Sequence, residues 1–346
     1  MPQHERFIGV DYHRKASYLT VMDSRGTIIK EGQIANQQEA VATFLQQAQC
    51  DGNATAVLEA TRNWTVMYDW LEALVDEVKL AHPLKVKWIA EAKIKTDKID
   101  ARVLAHLLRT DLLPTAYVAT PAAREVRAVL RQRMFFVRVR TMIKNRISVL
   151  LDRYPDLSAQ QPAEDRFSQA GLAWLHQLPL KPTDQQLLAE DLQLYAAVAA
   201  RIAQTEALVT TLAQDDWRVT LLRTIPGLGA FFAVLIAYEL DDITRFAHEK
   251  KLCSYIGLVP STYASGGRTF HGRLTKQGNR YLRWAFVEAV WPAIRTDASL
   301  RRYYEGIKTR KGSNPAKIAT ARRLVTLVYR VLRQRRAYEV RSSQLP

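Results

Sequence analysis

Four acidic residues in the first hundred positions lie where an ionised carboxylate is unfavourable, because it loses solvation or is repelled by another carboxylate. Asp11 and Glu59 each end an apolar segment with the composition of a strand, where a half-buried carboxylate loses solvation. Asp97 and Asp100 are three residues apart in a helical segment, so they share a helix face and repel each other unless a cation lies between them. Either these acids are solvated and paired with neighbouring lysines, or they bind metal.

Metal binding is the more specific of the two alternatives. Each acid taken alone is more often an ordinary surface group, but two strand ends and one helix face together favour a shared site. Carboxylate oxygens are good ligands for Mg²⁺, and a two-metal site can drive phosphodiester transfer. The only cysteines, Cys50 and Cys253, lack the spacing of a zinc site or a disulfide framework. Any metal is therefore expected to be held by oxygen.

A second group of candidate catalytic residues lies in the glycine-rich segment 261–273, which we predict to be a loop. Ser265 precedes two glycines, and Arg268, His271 and Arg273 follow it. The serine hydroxyl could approach a phosphate with help from these cations. Because a serine before two glycines is most often a turn residue, the segment alone does not decide between the two roles.

The segment 224–229 contains Gly227 and Gly229 between two apolar helical stretches. This spacing fits a helix-hairpin-helix, whose tight turn and following helix N-terminus can meet a phosphate. The alternative is a simple helix–helix turn, since the hairpin itself contains no lysine.

The charge of the chain indicates a polyanionic partner. Its formal net charge is +16 and its pI is about 9.9, which favours nucleic acid first and a membrane surface second. Residues 121–153 carry nine Lys and Arg against two Asp and Glu, and residues 266–346 carry nineteen against four. The sequence has neither an apolar run long enough to span a membrane nor a signal-peptide pattern, so we expect a cytoplasmic protein that associates with the nucleoid when it binds DNA.

The candidate nucleic-acid contacts are basic residues beside these features and the backbone of the glycine turn. The basic helix 121–153 suits the backbone of structured RNA or of a heteroduplex, although a solvated helix face remains the alternative. In chain order, the candidates are Lys93, Lys95, Lys98, Arg102, Arg124, Arg127, Arg131, Arg138, Gly227, Gly229, Arg268, Arg273, Lys276 and Arg280.

The predicted secondary structure that positions these residues is mixed α/β in the first part of the chain and mainly helical in the rest. Residues 6–34 predict three antiparallel strands, and helix, strand, helix, strand follow, which indicates a mixed α/β sheet covered by helices. The remainder is mainly helical. We predict three domains: a metal-binding domain at 1–120, a helical or coiled-coil region at 121–215 with a linker at 154–183, and a helical domain with the candidate serine at 216–346.

Five segments together resemble one known family. They are GVDYHRK, LEAT, KTDKIDA, IPGLG and YASGGRTFHGRLTKQGNRYLR. In this order they are similar to the DEDD transposases of insertion sequences, a family that includes the Piv invertase and the bridge-RNA-guided recombinases. The resemblance covers nearly the whole chain. It implies a RuvC-like, RNase H-fold N-terminal domain, a helical coiled coil, and a mainly helical C-terminal transposase domain with a helix-hairpin-helix.

The resemblance also implies roles for the candidate residues. Asp11, Glu59, Asp97 and Asp100 match the metal-binding tetrad of the family, which leaves the surrounding lysines and arginine free to meet phosphate. Ser265 matches a serine nucleophile that forms a covalent 5′-phosphoserine link. A non-coding guide RNA, the bridge RNA, would pair with donor and target DNA. Because recombination needs four strand cuts, we expect a homotetramer, arranged as a dimer of dimers.

Two rival functions remain open at this level. One is a RuvC-like, metal-dependent junction nuclease in which water attacks in place of Ser265. The other is a non-catalytic nucleic-acid-binding protein in which the carboxylates are structural.

Overall fold

A computed structural model describes residues 5–50, 52–90, 96–162, 164–265, 268–275 and 277–339. The chain divides into two compact units, Met1–Val118 and Ala119–Pro346. The first contains a mixed α/β sheet and the second is mainly helical, which confirms the predicted fold class at this level.

The first unit is a six-stranded sheet with helices on both faces. Its strands are β1 (Arg6–Tyr12), β2 (Ala16–Met22), β3 (Ile28–Ala35), β4 (Ala54–Glu59), β5 (Glu77–Ala81) and β6 (Thr115–Ala116). Its helices are α1 (Gln38–Gln47), α2 (Trp64–Glu72), α3 (Pro83–Ile89) and α4 (Asp97–Arg109). The strand order is β3-β2-β1-β4-β5-β6. As predicted, the first three strands are antiparallel, whereas β1, β4 and β5 run parallel.

Alternation along β1 divides the apolar core of this unit between the two faces of the sheet. Ile8 and Val10 pack in a cluster with Val41 of α1 and Met67 of α2. Phe7 faces the other way and packs in a cluster with buried leucines of α4. Because side chains alternate along a strand, Gly9 and Asp11 lie on the same face as Phe7, where α4 packs.

The second unit contains eleven helices and one hairpin within its described residues. The helices are α5 (Pro121–Leu151), α6 (Pro155–Ser158), α7 (Gln169–His176), α8 (Pro182–Leu212), α9 (Trp217–Leu222), α10 (Ala230–Leu240), α11 (Glu249–Ile256), α12 (Arg280–Glu288), α13 (Val290–Thr296), α14 (Ala298–Lys311) and α15 (Ser313–Gln334). The hairpin strands are β7 (Pro260–Ser265) and β8 (Arg268–Leu274).

Two long helices, α5 and α8, pack along each other. The segment 154–183, which we predicted as a linker, contains α6 and α7, and its Leu175, Leu178 and Leu180 are buried in the same cluster as Ile147 of α5. This segment is therefore packed against the long helices, although its short helices lack a periodic pattern.

Helix α10 lies at the centre of the second unit. Its residues from Ala233 to Leu240 are all buried, as expected of a helix that is apolar on every side. One of them is the acid Glu239, which has a side-chain exposure of 1%. Across the described ranges, no helix combines the length and the apolarity that a membrane crossing needs.

Candidate metal centre and nucleic-acid interface

Two of the predicted acids lie at one edge of the sheet. In the parallel pair β1 and β4, Val10 is opposite Leu58 in the last registered pair, and Asp11 and Glu59 are the next residues of the two strands. Asp11 still pairs with Tyr18 of β2, and Glu59 with Ala81 of β5. The ends of parallel strands are rigid positions from which side chains can act together. The structure thus brings Asp11 and Glu59 to a common edge, as two strand ends in the sequence suggested.

A glycine in β1 lets helix α4 approach this edge. A Cβ atom at Gly9 would lie 2.0 Å from the carbonyl oxygen of Ala101 and 2.6 Å from the backbone nitrogen of Ala105. The backbone of α4 therefore packs directly on β1, which no larger residue would permit. Since Gly9 and Asp11 share a face, this contact holds the first turn of α4 near the end of β1.

The first turn of α4 carries the other two acids. Thr96 is the N-cap, and its hydroxyl accepts a hydrogen bond of 3.2 Å from the backbone N–H of Ile99. Asp97 and Asp100 follow it, at the positive end of the helix dipole, where negative charge is favoured. The cap thus fixes the start of α4 and, with it, the positions of Asp97 and Asp100 in the first turn.

A histidine that the sequence analysis did not single out joins the acids. Nε2 of His13 lies 3.0 Å from Oδ2 of Asp11 and 3.3 Å from Oδ1 of Asp97. One ligand atom from each of these three residues lies within 4.8 Å of the other two. The sequence feature that could have identified His13 was its position two residues after Asp11, in the short connection between β1 and β2.

The electrostatics of this cluster favour a cation. The pKa of the Asp11 carboxyl is raised above its ordinary value, mainly because the group is partly buried. His13 opposes this shift, whereas the negative charges of Asp100 and Asp97 add to it. A divalent ion would offset the repulsion, and carboxylate oxygens with one imidazole are suitable ligands. The donor set therefore fits a divalent metal.

Two predicted phosphate contacts near this cluster bind a carboxylate instead. Arg102 donates from Nε and Nη2 to the two oxygens of Glu31, each at 2.7 Å, and Nζ of Lys98 lies 2.6 Å from the same group. The hydrogen bonds from Arg102 above all lower the pKa of Glu31 to about 2. Neither cation is free in the sense that we predicted. Lys93 and Lys95 lie outside the described residues.

On the basic helix α5, two predicted contacts bind groups of α10. Arg127 donates to the carbonyl oxygens of Tyr238 at 2.8 Å and Glu239 at 3.0 Å, and its side chain is only 13% exposed. Arg131 donates to Oε1 of Glu239 at 3.0 Å. This geometry favours a role in the fold for Arg127. Arg138 is exposed on the same helix, and Arg124 is half-buried.

The segment predicted as a glycine-rich loop is a β-hairpin. Strands β7 and β8 are antiparallel, and Ser265 is opposite Arg268 in the register. Arg268 and Arg273 are exposed on β8, and Arg280, at the start of α12, is also exposed. Alternating β-branched and aromatic residues explain the strands, which the two glycines obscured. Lys276 and the side chains of Ser265 and His271 lie outside the described part.

The glycine turn joins α9 to α10. Gly227 has φ +87°, and a Cβ atom there would lie 2.4 Å from the carbonyl oxygen of Ala289, so both conformation and packing require glycine. Gly229 is the N-cap of α10, and a Cβ atom there would meet no atom within 4 Å. Only the second glycine therefore faces open space.

Two family models match separate parts of the chain. A model of DEDD transposases, described as "Transposase", matches residues 8–155. A model described as "Transposase IS116/IS110/IS902 family" matches residues 219–305. The first range contains the four acids and His13, and the second contains the glycine turn and the hairpin with Ser265.

Several curated relatives align with most of the chain. A transposase for insertion sequence element IS1328 from Yersinia enterocolitica is 25% identical over 334 residues, which cover 94% of this chain and 96% of the relative. A transposase for insertion sequence element IS1111A from Coxiella burnetii is 23% identical, with 96% and 91% covered. A pilin gene-inverting protein from Moraxella lacunata is 24% identical, with 82% of each covered.

Proposed function

The chain belongs to the DEDD transposases of insertion sequences, and we propose that it is an RNA-guided DNA recombinase that acts through a covalent 5′-phosphoserine intermediate. The observation that carries this proposal is the gathering of Asp11, His13 and Asp97 beside the strand end that holds Glu59. This acid-rich edge occurs within the range that the DEDD model matches.

In the proposed mechanism, the acidic edge would hold Mg²⁺. Asp11, Asp97, Asp100 and Glu59 would be the residues that bind it. A bound divalent ion would orient the scissile phosphate and neutralise charge in the transition state. The N-terminus of α4 helps to hold the carboxylates ionised at neutral pH.

Ser265 is the proposed nucleophile. Its hydroxyl oxygen attacks the phosphorus, the O–P bond to serine forms, and the bond to the 3′-oxygen breaks. The 3′-oxygen leaves as a hydroxyl, which takes up one proton while the serine loses one, so the DNA 5′-phosphate stays on the protein. Arg268 and Arg273, exposed on β8, are placed to offset the charge that develops on the phosphate. Because the phosphodiester energy is retained in the serine ester, a strand can be rejoined without ATP.

The positive charge of the chain and its family together support nucleic acids as its partners. We assign donor and target DNA as substrates, with a non-coding bridge RNA as the guide. The exposed arginines of α5 suit RNA of A-form geometry, whose backbone and 2′-hydroxyls are read mainly by shape. Salt-dependent binding is expected for a chain of this charge.

Self-association is also part of the proposal. Helix α5 exposes Phe135, Met142 and Val149, with side chains that are between 49% and 69% exposed. Their spacing of seven residues is that of a coiled-coil seam. An apolar stripe of this kind supports a dimer through α5, and two dimers would supply the four cuts of a recombination event.

Replacing Val149 with glutamate should therefore lower the mass of the protein in solution. A charge within an apolar seam loses solvation without a partner, so we expect the dissociation constant to rise at least tenfold. Light scattering across a concentration series measures this change. Leu112→Glu is the matched control, because Leu112 is 62% exposed and lies in the first unit. Equal masses for both variants would exclude α5 as the interface.

The proposed chemistry is tested by trapping the intermediate. Purified protein is incubated with DNA of the ends of its insertion sequence, the flanking RNA and Mg²⁺, and then denatured. We expect DNA bound covalently to the protein, lost in Ser265→Ala and retained in Ser254→Ala, which removes an exposed hydroxyl on α11. Cleavage that persists in Ser265→Ala without an adduct would instead indicate a nuclease that uses water.

A further inference from the structure

An open cleft lies beside the glycine turn in the second unit. Its volume is about 880 Å³, which is within the range of ligand clefts, roughly 300–1,000 Å³. The walls come from the turn 224–229, the first turn of α10, α12 and α13, and Arg133 of α5 contributes the remaining side. The cleft is therefore bounded entirely by elements of one unit.

Three aromatic rings line part of this cleft. Phe231 and Phe232 lie in the first turn of α10, and Trp284 of α12 meets both rings nearly edge-on, with centroid distances of 6.4 Å and 5.3 Å. The Trp284 side chain is 40% exposed, although it is large and apolar. Exposed aromatic faces of this kind are platforms on which nucleic-acid bases stack.

Positive groups border the same rings. The Arg133 guanidinium lies 4.1 Å from the centre of the Phe231 ring and is paired with the Glu206 carboxylate at 2.6 Å. Arg223 is exposed at the turn. Among the described residues that line the cleft, none is acidic. The N-cap residue Gly229 has no side chain with which to cap the first N–H groups of α10, so the positive end of this helix also opens here.

This combination fits an unpaired nucleotide better than a duplex. A duplex hides the faces of its bases and presents phosphates, whereas this cleft offers rings with only two arginines. An unpaired nucleotide supplies a base face to the rings and a phosphate to the helix end.

The position of the cleft relates it to the proposed nucleophile. The helix that carries Trp284, α12, begins at Arg280, shortly after β8 ends at Leu274. The backbone N–H of Asn279, the N-cap residue of α12, donates to the carbonyl oxygen of Tyr255 in α11 at 3.0 Å. The hairpin with Ser265 and the helix with Trp284 are thus consecutive elements of the same unit.

We propose that this cleft binds unpaired bases of the DNA strand that is being cut, by stacking them on Trp284 and Phe232. The proposal rests on the function proposed above, because it takes Ser265 to be the residue that engages this strand. It assigns the cleft to strand separation near the cleavage point, a step distinct from metal binding and from nucleophilic attack.

Two kinds of substitution test the cleft without disturbing the core. Trp284→Leu removes the stacking surface but keeps apolar volume, and Trp284→Phe restores a ring. Gly229→Asp places a negative charge at the helix end, where nothing lies within 4 Å of a Cβ atom. Aspartate is a preferred N-cap residue, so this variant should fold normally. Gly229→Asn is its neutral counterpart, with a side chain of the same size.

The assay is fluorescence anisotropy of the full chain without Mg²⁺, so that no cleavage occurs. The probes are a single-stranded DNA oligonucleotide, its duplex, an abasic strand of equal length and the RNA of the same sequence. We expect Trp284→Leu and Gly229→Asp to weaken single-stranded DNA binding about tenfold, with less than twofold effect on the duplex. Trp284→Phe and Gly229→Asn should stay within about threefold of the parent. For the abasic strand, Trp284→Leu should have no effect.

Trp88→Leu is the control for loss of an exposed indole, since Trp88 is 71% exposed in the first unit. Equal weakening of duplex and single strand, or no weakening at all, would overturn the proposal. Weakening confined to RNA would assign the cleft to the guide and also overturn it, as would a lower solution mass of Trp284→Leu. Because the assay needs no chemistry, the binding result stands even if the serine adduct is never found.

Discussion

Asp11→Asn is expected to abolish strand cleavage while leaving a protein that is at least as stable as the parent. Asp11 belongs to the cluster, with His13 and Asp97 as neighbours. Removing its charge weakens the proposed metal site, and the loss of several kcal/mol of transition-state stabilisation corresponds to roughly a thousandfold in rate.

The stability of this variant separates a catalytic role from a structural one. The pKa of Asp11 is raised, so the folded state holds its ionised form less well than the unfolded chain does. The contribution of Asp11 to the free energy of unfolding is therefore fully present below the pKa of the group in the unfolded chain. It is lost as the pH rises through the higher pKa of the group in the folded protein. Asparagine removes this penalty, so the melting temperature in EDTA should rise or stay unchanged at neutral pH.

The measurements are the rate of DNA cleavage in Mg²⁺ and the melting temperature in EDTA. Glu39→Gln provides the matched control, because Glu39 is an exposed acid on α1 in the same unit. This control should keep full activity. A variant at Asp11 that melts well below the parent and cleaves normally would show that the carboxylate is structural, as the non-catalytic rival requires.

Local patterns in the sequence were enough to predict the sheet and the acidic edge. Alternating apolar residues identify β1 and β4, and an acid after each apolar run is visible without any structure. The Thr96 cap likewise lies next to the residues that it serves. These features depend on neighbours within a few positions, which is the range over which sequence patterns carry information.

Contacts between distant segments could not be predicted in the same way. In the sequence, Gly9 looks like an ordinary glycine within a strand, and only the structure shows that the backbone of α4 packs directly against it. Lys98 and Arg102 read as free cations because their partner, Glu31, lies in a strand far earlier in the chain. A buried acid such as Glu239 within the apolar run of α10 has no local explanation either, because its partners lie on α5 and before α12.

Glu239→Ala is expected to cause the largest loss of stability among simple substitutions in the second unit. Its side chain is 1% exposed, Oε1 accepts from Nη2 of Arg131 at 3.0 Å, and Oε2 accepts from Nδ2 of Asn279 at 2.7 Å. The other end of Asn279 caps α12, because its Oδ1 accepts from the N–H groups of Tyr281 and Leu282. One carboxylate therefore joins α5, α10 and α12.

Removing one partner from a buried charged network leaves the others unpaired, at a cost of about 3–5 kcal/mol. Arg127 is the most affected, since its side chain is 13% exposed and its Nε lies 3.8 Å from Oε2 of Glu239. Glu239→Gln, which keeps an acceptor for Asn279, should lose less. Urea denaturation followed by circular dichroism measures the difference. The control is Glu190→Ala, an exposed acid on α8, which should change stability by less than about 0.5 kcal/mol.

The pairing itself is isolated by combining Glu239→Ala with Arg127→Ala. If Arg127 is destabilising mainly because it is left without its acid, the double variant should lose less stability than the two single losses together. Strict additivity would show that Arg127 stabilises the fold through the carbonyl oxygens of Tyr238 and Glu239 and not through the Glu239 carboxylate. The exposed Arg138 would not share this coupling, so adding Arg138→Ala to Glu239→Ala should give additive losses. The basic helix α5 would then contain two kinds of arginine, one that holds the fold and one that remains available to nucleic acid.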